Sequence, residues 1–285
     1  MTDTLRIMKR RLAESLLRTT PFPAGHWQAM DVSSSRAHDT HELTDVSMVI
    51  DVPDDSYAWM HTADPDMPWA ERHFQERVSG IPHNPPPSHE IWPHAVRGNS
   101  DHTSGGKFSH TYPERFWPQY AGPAGECPSP EECMGTCRLG DHQSKRNRGV
   151  RYRLGDLSDL LQHLATQPST RQAYLPVWFP EDTGAVEGQR VPCTLGYHFM
   201  IRDGKLSCRY YLRSCDLIRH WSNDVYLAGR LMQWVADMLN GAWAGATNKP
   251  IGLEPGELRI YISSLHAFRA DEPKLKKLAW PDYHV

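Results

Sequence analysis

The chain has 285 residues, enough for a large domain with a full hydrophobic core, and its net charge is only −3, with 31 Lys and Arg against 34 Asp and Glu. This balance argues against a nucleic-acid groove or a polybasic membrane surface, and no apolar run approaches the roughly 20 residues that span a bilayer. The N-terminal segment carries charges throughout, unlike a signal peptide, so we expect a cytoplasmic protein whose six cysteines are reduced.

The first part of the chain alternates short periodic segments with loops. Apolar residues at helical spacing predict a helix over 4–17, and a run of β-forming residues predicts a strand over 43–52. Asp and Pro make 53–68 a predicted loop, and a short helix is predicted over 69–78. Ten prolines within 82–130 exclude a regular helix there and indicate an ordered loop region.

The second part is richer in regular structure. Asp156 is a good N-cap for a helix, and Asp203-Gly204 between two strand-like runs predicts a tight hairpin. The order of elements lacks βαβ regularity and shows no linker, so we expect one α+β domain over 1–285. The predicted strands are 173–179, 195–201, 206–212 and 257–264, with a helix over 224–240 and a charged tail at the end.

Cys193 and Arg213 are the first candidates for chemistry. Pro192 precedes Cys193 at a loop-to-strand boundary, and Arg213 ends the paired strand, so the hairpin can bring both to one end of a sheet. An Arg near a Cys favours the nucleophilic thiolate, and the same Arg can hold a phosphate through two hydrogen bonds. A buried cysteine and a surface ion pair are the simpler alternatives.

The segment from Pro192 to Asp224 resembles the thymidylate synthase family. It has that family's Pro-Cys, an aromatic strand, a Gly turn, an Arg213-Ser214-x-Asp216 motif and a base-recognising position eight residues later, without gaps. The resemblance implies the family fold, a mixed sheet with flanking helices. It also implies a homodimer with a phosphate site shared across the subunits, and 5,10-methylenetetrahydrofolate as the cosubstrate.

The resemblance also implies roles for individual residues. Cys193 would add to C6 of the pyrimidine, Arg213 and Ser214 would bind the 5′-phosphate, and Asp216 would face the folate pterin. Tyr112 matches the Tyr of the family's central loop motif. A non-catalytic nucleotide-binding relative is the alternative outside enzymes, and it would not need the thiol.

The sugar and phosphate contacts depart from the family pattern. Arg171 matches the first Arg of a pair that reaches the phosphate of the partner subunit, but Gln172 replaces the second. Tyr261 matches the Tyr that contacts the sugar 3′-hydroxyl, and Arg259 stands where the family has a sugar-binding His. This change is compatible with a ribonucleotide substrate, and a surface salt bridge of Arg259 is the simpler interpretation.

Asp224 points to the base. Thymidylate synthases have Asn at this position, whose amide matches uracil, whereas a carboxyl group accepts from the cytosine amine and, when protonated, donates to N3. Family members with Asp here are cytidylate hydroxymethylases, so we expect 5-hydroxymethylation of CMP or dCMP, as in mildiomycin-type nucleoside-antibiotic pathways or in phages. A one-residue slip would put Asn223 at this position, and thymidylate synthesis from dUMP is then the alternative.

The expected folate site differs from that of a thymidylate synthase. Residues 219–222, Arg-His-Trp-Ser, replace a Leu-Gly-x-Pro segment beside the folate, and the C-terminal lid motif is not recognisable in 280–285. A looser lid admits water, which favours a hydroxymethyl over a methyl product. Trp92 is a candidate for stacking on the folate.

The proton relay and a metal site are the last candidates. The family relay is a Glu on an N-terminal helix; we choose Glu71, which an aromatic residue follows after three positions, and Glu90 is the competitor. The spacing of Cys127, Cys133, Cys137 and His142 is not a common zinc pattern, so we expect no metal.

Overall fold

A five-stranded mixed sheet forms the centre of the fold, with helices flanking it. This computed structural model describes residues 2–27, 30–94, 103–104, 107–118, 155–180, 182–183, 190–241 and 252–282. The α+β class predicted from the order of elements, and the mixed sheet with flanking helices, are confirmed. No helix in these ranges is both long and apolar enough to cross a membrane.

The elements before the site-forming hairpin are mostly short. Helix α1 packs against the last helix of the chain and buries Leu5, Ala13 and Leu16. The bounds are α1 Thr2–Leu17, β1 His26–Trp27, β2 Met30–Asp31, β3 Thr40–Asp51, α2 Ser56–Ala63, α3 Trp69–Val78, β4 Thr103–Ser104, β5 Lys107–Phe108, α4 Tyr112–Phe116, α5 Leu157–Thr166 and β6 Tyr174–Pro176. Short 3-10 helices occupy Arg36–His38 and Pro87–Ile91.

The second part supplies most of the central sheet, whose strand order is β3-β9-β8-β7-β6. Strands β8 and β9 are parallel, and the other neighbouring pairs are antiparallel. The remaining elements are β7 Thr194–Arg202, β8 Lys205–Asp216, α6 Trp221–Asn240, β9 Glu254–Phe268, a 3-10 turn over Arg269–Asp271 and α7 Glu272–Ala279.

The hairpin between β7 and β8 has the predicted two-residue turn. Arg202 pairs with Lys205, and both Asp203 and Gly204 have positive φ, at 51° and 73°. This is the backbone of a type I′ turn, in which the twist of the turn matches that of the strands. The turn sets the register of the whole hairpin and therefore decides which residues meet at its far end.

Helix α6 covers one face of the sheet and forms the main core with it. Its buried residues recur at helical spacing, and Gly229 allows the indole of Trp59 to lie directly against the helix backbone. The Trp59 indole N–H donates to the Tyr226 carbonyl at 2.9 Å. The opposite face of the sheet exposes large side chains, among them Val49, Tyr174 and Tyr261.

Several predictions about the elements are wrong for identifiable reasons. A short helix, α4, does occur within 82–130, because Thr111 and Glu114 form a capping box at its start. The loop predicted over 53–68 contains α2, because Asp55 caps it by accepting from the Tyr57 amide at 2.9 Å and Trp59 anchors it in the core. Helix α6 begins at Trp221, three residues before the predicted start. The predicted charged tail contains α7, whose Leu275 and other buried residues pack on α1.

Gly229→Ala tests the close approach of Trp59. In an exposed helix this change stabilises by about 1 kcal/mol, but the new methyl group would overlap the indole here, so we expect a loss of about 1–3 kcal/mol. The measurement is the free energy of unfolding in urea. The control is the same change in a Trp59→Leu background, where the loss should shrink or reverse; an equal loss there would show that the clash is not the cause.

Candidate active site

Cys193 and Arg213 lie together at one end of the central sheet. The Arg213 amide donates to the Cys193 carbonyl at 2.9 Å. Its guanidinium donates through Nε to the Pro192 carbonyl at 2.8 Å and through Nη2 to the Val191 carbonyl at 3.2 Å, and Nη2 is 3.9 Å from the Cys193 Sγ. One Arg side chain therefore holds the turn before β7 and stands beside the thiol.

The Cys193 thiol is accessible and lies among charges. Of the free cysteines in the described ranges, Cys193 is exposed, while Cys208 and Cys215 are buried. Loss of solvation by the surrounding protein raises the pKa of the Cys193 thiol, and the guanidinium groups of Arg213 and Arg190 oppose that rise. The two cations favour the thiolate that a nucleophilic cysteine must form.

A chain of hydroxyl groups lines the wall next to Cys193. Tyr112 Oη and Thr194 Oγ1 are 3.0 Å apart, and Thr194 Oγ1 and Tyr210 Oη are 2.9 Å apart. Burial raises the pKa of Tyr112 and of Tyr210, and it raises the pKa of Tyr197, which stacks on Tyr210, to about 12. These phenols are therefore neutral, and the wall is polar without being charged.

Asp224 brings a carboxyl group to the same site from the first turn of α6. Its Oδ2 accepts from the Cys215 thiol at 3.4 Å, and no basic group in the described ranges forms an ion pair with it. Burial raises the pKa of Asp224 to about 6, although the Arg77 guanidinium acts to lower it. The negative charge of Asp224 also raises the pKa of the Cys193 thiol, by less than burial does, so the two groups share one electrostatic environment.

The neighbouring Asn223 is bound elsewhere. Its Oδ1 accepts from the Asp66 amide at 2.9 Å, and its Nδ2 donates to the Asp66 carboxylate at 2.8 Å and to the Arg219 carbonyl at 3.2 Å. The side chain is only 2% exposed. The Asn223 amide is therefore fully used within the protein, whereas the Asp224 carboxyl group has the Cys215 thiol as its hydrogen-bond donor.

The residues predicted for the sugar lie away from this end of the sheet. Tyr261 is exposed on the outer face and stacks on Tyr211 at 5.2 Å between ring centroids, and Arg259 forms an ion pair with Glu257 at 2.8 Å on the same face. The alternation of side chains along β9 and the pairing of β9 with β8 point Arg259 and Tyr261 outward. This placement does not agree with the sugar contact predicted for these two residues.

His266 is the β9 residue that reaches the site, and the sequence analysis missed it. It pairs with Asp216 in the parallel ladder, and its Nδ1 is 3.3 Å from the Ser214 Oγ. Burial lowers the pKa of His266. The sequence did contain an indication of His266. His266-Ala267-Phe268 has a His followed two residues later by an aromatic residue, the pattern that the family has where Arg259 and Tyr261 were matched.

Arg171 lies outside this cluster. Its side chain is exposed on the loop before β6, and its carbonyl accepts from the His198 ring at 3.0 Å. No contact joins it to Arg213 or Ser214 of its own chain within the described ranges. An exposed position is what a residue that reaches a second subunit requires.

Aromatic rings form a stack next to the site. Trp92 lies 4.0 Å from Trp69 and 5.3 Å from His220, measured between ring centroids, and Trp69 stacks on His73 at 4.9 Å. Trp92 and Trp69 are partly exposed. His220 occupies the position where the family has Gly beside the folate, so the replacement adds a ring to this surface.

Asp216 lies at the start of the turn that leads into α6. Its Oδ1 accepts from the amides of Ile218 and Arg219 at 2.8 and 3.0 Å, and its Oδ2 accepts from the Arg219 guanidinium at 2.7 Å. Burial alone would raise its pKa, but His266 and Arg219 hold the pKa of Asp216 below its ordinary value. The carboxylate is thus ionised and already well paired.

The structure does not bring Glu71 to Cys193. Glu71 pairs with Arg230 at 3.1 Å and accepts from the Tyr226 hydroxyl at 2.6 Å, which places it between α3 and α6. Residues two apart on an α-helix point about 160° apart, so Glu71 faces away from His73. The competitor Glu90 is exposed in a 3-10 helix.

The face of α3 toward Tyr112 carries His73, Glu76 and Arg77, all buried. Ser88 donates its amide to Glu76 at 2.7 Å and its hydroxyl at 2.5 Å, and the Ser88 hydroxyl is 3.0 Å from the His73 Nδ1. Burial, with Arg77, lowers the pKa of His73 to about 4. The Arg77 guanidinium carbon lies 3.9 Å from the centroid of the Tyr112 ring.

Arg190 and Arg77 are the charged residues that sequence reasoning missed. Arg190 comes three residues before Cys193, a spacing that could have indicated it. No group of three or more His, Cys, Asp or Glu side chains suited to a metal occurs within the described ranges. The cluster of Cys127, Cys133, Cys137 and His142 lies outside them.

A family model for thymidylate synthase matches residues 115–278, which is more than half of the chain. The chain belongs to the thymidylate synthase family. The matched segment contains β7, β8, α6 and β9, which carry Cys193, Arg213, Asp224 and His266. It excludes α1 to α3, so the face of α3 described above lies outside the matched region.

Individual relatives match over a shorter stretch. The thymidylate synthases of Listeria monocytogenes (serovar 1/2a) and Listeria innocua are 36% identical to the chain over 124 residues, which is 44% of this chain and 35% of each relative. A thymidylate synthase of Listeria monocytogenes serotype 4a is 26% identical over 124 residues. The match thus spans about a third of the length of these curated relatives.

The raised pKa of Asp224 predicts a pH-dependent cost to stability. Its pKa of about 6 in the fold is above the ordinary 3.8, so the cost is small below pH 4 and grows between pH 4 and pH 6, where the unfolded chain is ionised at this position and the folded carboxyl group is not. Above pH 6 the cost reaches about 3 kcal/mol. Asp224→Asn should therefore raise Tm at pH 8 and raise it much less at pH 4.5.

Thermal unfolding of both proteins at the two pH values measures this difference. Asp237→Asn, on the outer part of α6, is the matched control, since its carboxyl group is more exposed. An Asp224→Asn protein with no gain at pH 8, or with the same gain at pH 4.5, would contradict the prediction.

Proposed function

We propose that the chain catalyses folate-dependent 5-hydroxymethylation of a cytosine nucleotide, CMP or dCMP. The observation that carries the proposal is the carboxyl group of Asp224 in the same site as the exposed Cys193 thiol, with the Asn223 amide bound to Asp66. A carboxylate at the position where the family has Asn suits an amine donor, and cytosine presents that donor where uracil presents a carbonyl oxygen.

Cys193 acts as the nucleophile in this proposal. Its sulfur adds to C6 of the pyrimidine, and the electron pair of the C5–C6 bond moves onto C5, which then forms the bond to the one-carbon unit. Loss of the C5 proton would then release the one-carbon unit from the folate nitrogen as an exocyclic methylene on C5. Water would add to that methylene carbon, and expulsion of the Cys193 sulfur from C6 would restore the aromatic ring. The 3.9 Å separation between the Arg213 guanidinium and the sulfur supports the thiolate needed for the first step.

The phosphate and sugar of the substrate are bound at the ends of β8 and β9. Arg213, Ser214 and Arg190 surround Cys193 with donors suited to a 5′-phosphate. His266, held next to the Ser214 hydroxyl at 3.3 Å, is the proposed sugar contact instead of Arg259 and Tyr261. Phe268 follows at the position of the family's sugar-binding Tyr, so one hydroxyl donor is lost there.

The folate site is formed by the aromatic stack. Trp92, Trp69 and His220 offer partly exposed rings to a flat pterin, and the ionised Asp216 lies at the start of the adjoining turn. These residues fit a flat, polar, aromatic ligand. Methylenetetrahydrofolate would supply a one-carbon unit at the oxidation level of formaldehyde, and addition of water to that carbon gives the hydroxymethyl product.

The enzyme acts as a homodimer in this proposal. The sheet face opposite α6 exposes Tyr174, Tyr261 and Val49, with exposed fractions of about 40%, in a monomer. Exposed aromatic and aliphatic side chains on a flat sheet face are typical of an isologous interface. Arg171 is exposed on the loop before β6 and would complete the phosphate site of the second subunit.

Tritium release from C5-labelled nucleotides tests the reaction. We expect release from CMP or dCMP with methylenetetrahydrofolate, together with a product heavier than the substrate by one CH2O unit in mass spectrometry. Cys193→Ser should abolish release, because the alkoxide is not available at neutral pH. Asp224→Asn should shift release toward uracil nucleotides.

The same assay distinguishes the alternative. The relatives named above are thymidylate synthases, and this favours dUMP as the second candidate substrate. Release from dUMP alone, with formation of dTMP, would replace the proposed function by thymidylate synthesis. Nucleotide binding that survives Cys193→Ser, with no tritium release by the wild type, would indicate a non-catalytic relative.

Subunit mixing tests the shared phosphate site. Cys193→Ser and Arg171→Ala proteins should each have low activity, but a heterodimer combines one intact Cys193 with the intact Arg171 of the other subunit. Random exchange should restore about a quarter of wild-type activity, because half of the dimers are mixed and each contains one complete site. The control mixture, Arg171→Ala with wild type, should show only dilution of the wild-type activity. If the first mixture then shows no recovery of activity, the phosphate site is not shared between subunits.

A further inference from the structure

Arg77 is a buried cation without a counter-ion in the part of the chain that the structure describes. Its side chain is 4% exposed, and its Nε is buried without a hydrogen-bond partner. Burying a guanidinium group without a paired anion costs free energy, and the contact with the Tyr112 ring offsets only part of that cost. A position of this kind requires an explanation.

The side chain is also held firmly in place. The Trp117 indole donates to the Arg77 carbonyl at 2.8 Å, which fixes the end of α3 against α4. The guanidinium carbon lies 3.9 Å from the Tyr112 ring centroid and 6.0 Å from that of Phe116. The cation is therefore directed toward the wall of the site that Tyr112 shares with Thr194.

Arg77 and Asp224 reach the site from two different helices, α3 and α6. The Arg77 guanidinium lies over the Tyr112 ring with its Nε unpaired, and the hydrogen bond to the Asp224 carboxyl group comes from the Cys215 thiol. Arg77 is close enough to lower the pKa of Asp224 against the effect of burial, but the two groups form no ion pair with each other. Each of the two opposite charges therefore keeps hydrogen-bonding capacity for a polar ligand.

The edge of cytosine complements the hydrogen-bonding groups of Arg77 and Asp224. At neutral pH Asp224 is mostly ionised, so it accepts from the exocyclic amine but cannot donate to the adjacent N3. The N3 acceptor needs a separate donor. An Arg guanidinium is always charged and carries several donors in a fixed plane.

We propose that Arg77 is a second base-recognising residue, whose guanidinium donates to N3 of cytosine while Asp224 accepts from the exocyclic amine. The inference rests on the proposed function and deepens it. Uracil carries a hydrogen on N3 and a carbonyl oxygen at C4. Its N3 donor would face the Arg77 donor, and its C4 acceptor would face the Asp224 acceptor. The pair therefore selects cytosine by attraction and rejects uracil by repulsion.

The first measurement is the equilibrium binding of CMP and of UMP without folate, detected through the change in Trp fluorescence. Arg77→Met should weaken CMP binding by about tenfold or more, since a hydrogen bond from a charged group is lost. It should leave UMP binding unchanged or strengthen it, since the guanidinium no longer opposes the N3 hydrogen of uracil. Arg77→Lys, which keeps a charged donor, should recover part of the preference. The ratio of the two affinities is a quantity that loss of packing alone would not change.

The pH profile is the second measurement. Several titratable groups face Asp224, and of these only Arg77 is a permanent cation that opposes its protonation. With Arg77→Met the acid limb of CMP binding, near pH 6 in the wild type, should move to higher pH, and Arg77→Lys should leave it in place. The groups that face Asp224 are Arg77 from α3, Tyr112 from α4, Cys193, Tyr197 from β7, and Tyr210, Cys215 and Asp216 from β8.

Arg230→Met is the matched control. Arg230 also lies over an aromatic ring next to α3, 4.6 Å from the Phe74 centroid, but it has Glu71 as a counter-ion. Its removal should lower Tm without altering the ratio of CMP to UMP affinity. A change in that ratio equal to the one caused by Arg77→Met would overturn the inference.

Failure of this inference and failure of the proposed function give different results. A wild type that prefers uracil nucleotides contradicts the proposed function before any variant is made. A wild type that prefers cytosine, with an Arg77→Met protein that keeps both the preference and the acid limb, contradicts only the role of Arg77. Equal weakening of CMP and UMP by Arg77→Met would also overturn it, because that result indicates a structural role.

Discussion

The register between β7 and β8 is the constraint on which the rest of the site depends. The two-residue turn at Asp203 and Gly204 aligns the strands, and the hydrogen bond from the Arg213 amide to the Cys193 carbonyl closes the other end. A slip of one residue would turn Cys193 and Arg213 to different faces of the sheet. The same register sets the end of β8, where Asp216 begins the turn into α6 and so fixes the position of Asp224.

The site lowers the free energy of unfolding, and buried charged groups account for most of this loss. Asp224 is buried enough to raise its pKa to about 6, and Arg77 is buried with no ion pair to any residue that the structure describes. Unsatisfied groups of this kind are found where a ligand completes the hydrogen bonds, and the large core around α6 stabilises the fold that contains them.

Much of this arrangement could be predicted from the sequence, because its signals are local. The Asp-Gly turn, the Asp156 cap and the Arg213-to-Asp224 spacing depend on residues close in the chain, and they led to the correct fold class. The errors involve long-range contacts. The phase of α3 turns Glu71 toward Arg230, and the parallel pairing of β9 with β8 brings His266, not Tyr261, next to Ser214. The hydrogen bonds between Asn223 and Asp66 are also long-range, and they support the predicted choice of Asp224 over Asn223.

The division between matched and unmatched parts of the chain follows the chemistry. The family model covers the elements that hold the nucleophile and the proposed phosphate site, and both are needed for any pyrimidine nucleotide. Helix α3 lies before the matched region and places a neutral His73 and a charged Arg77 beside Tyr112. Addition of C6 to a cysteine is common to uracil and cytosine, whereas the donors and acceptors around N3 and C4 differ between them. In the proposed function, a change of base requires new residues only where they face this edge, and Arg77 on α3 would provide one without disturbing the β7–β8 hairpin.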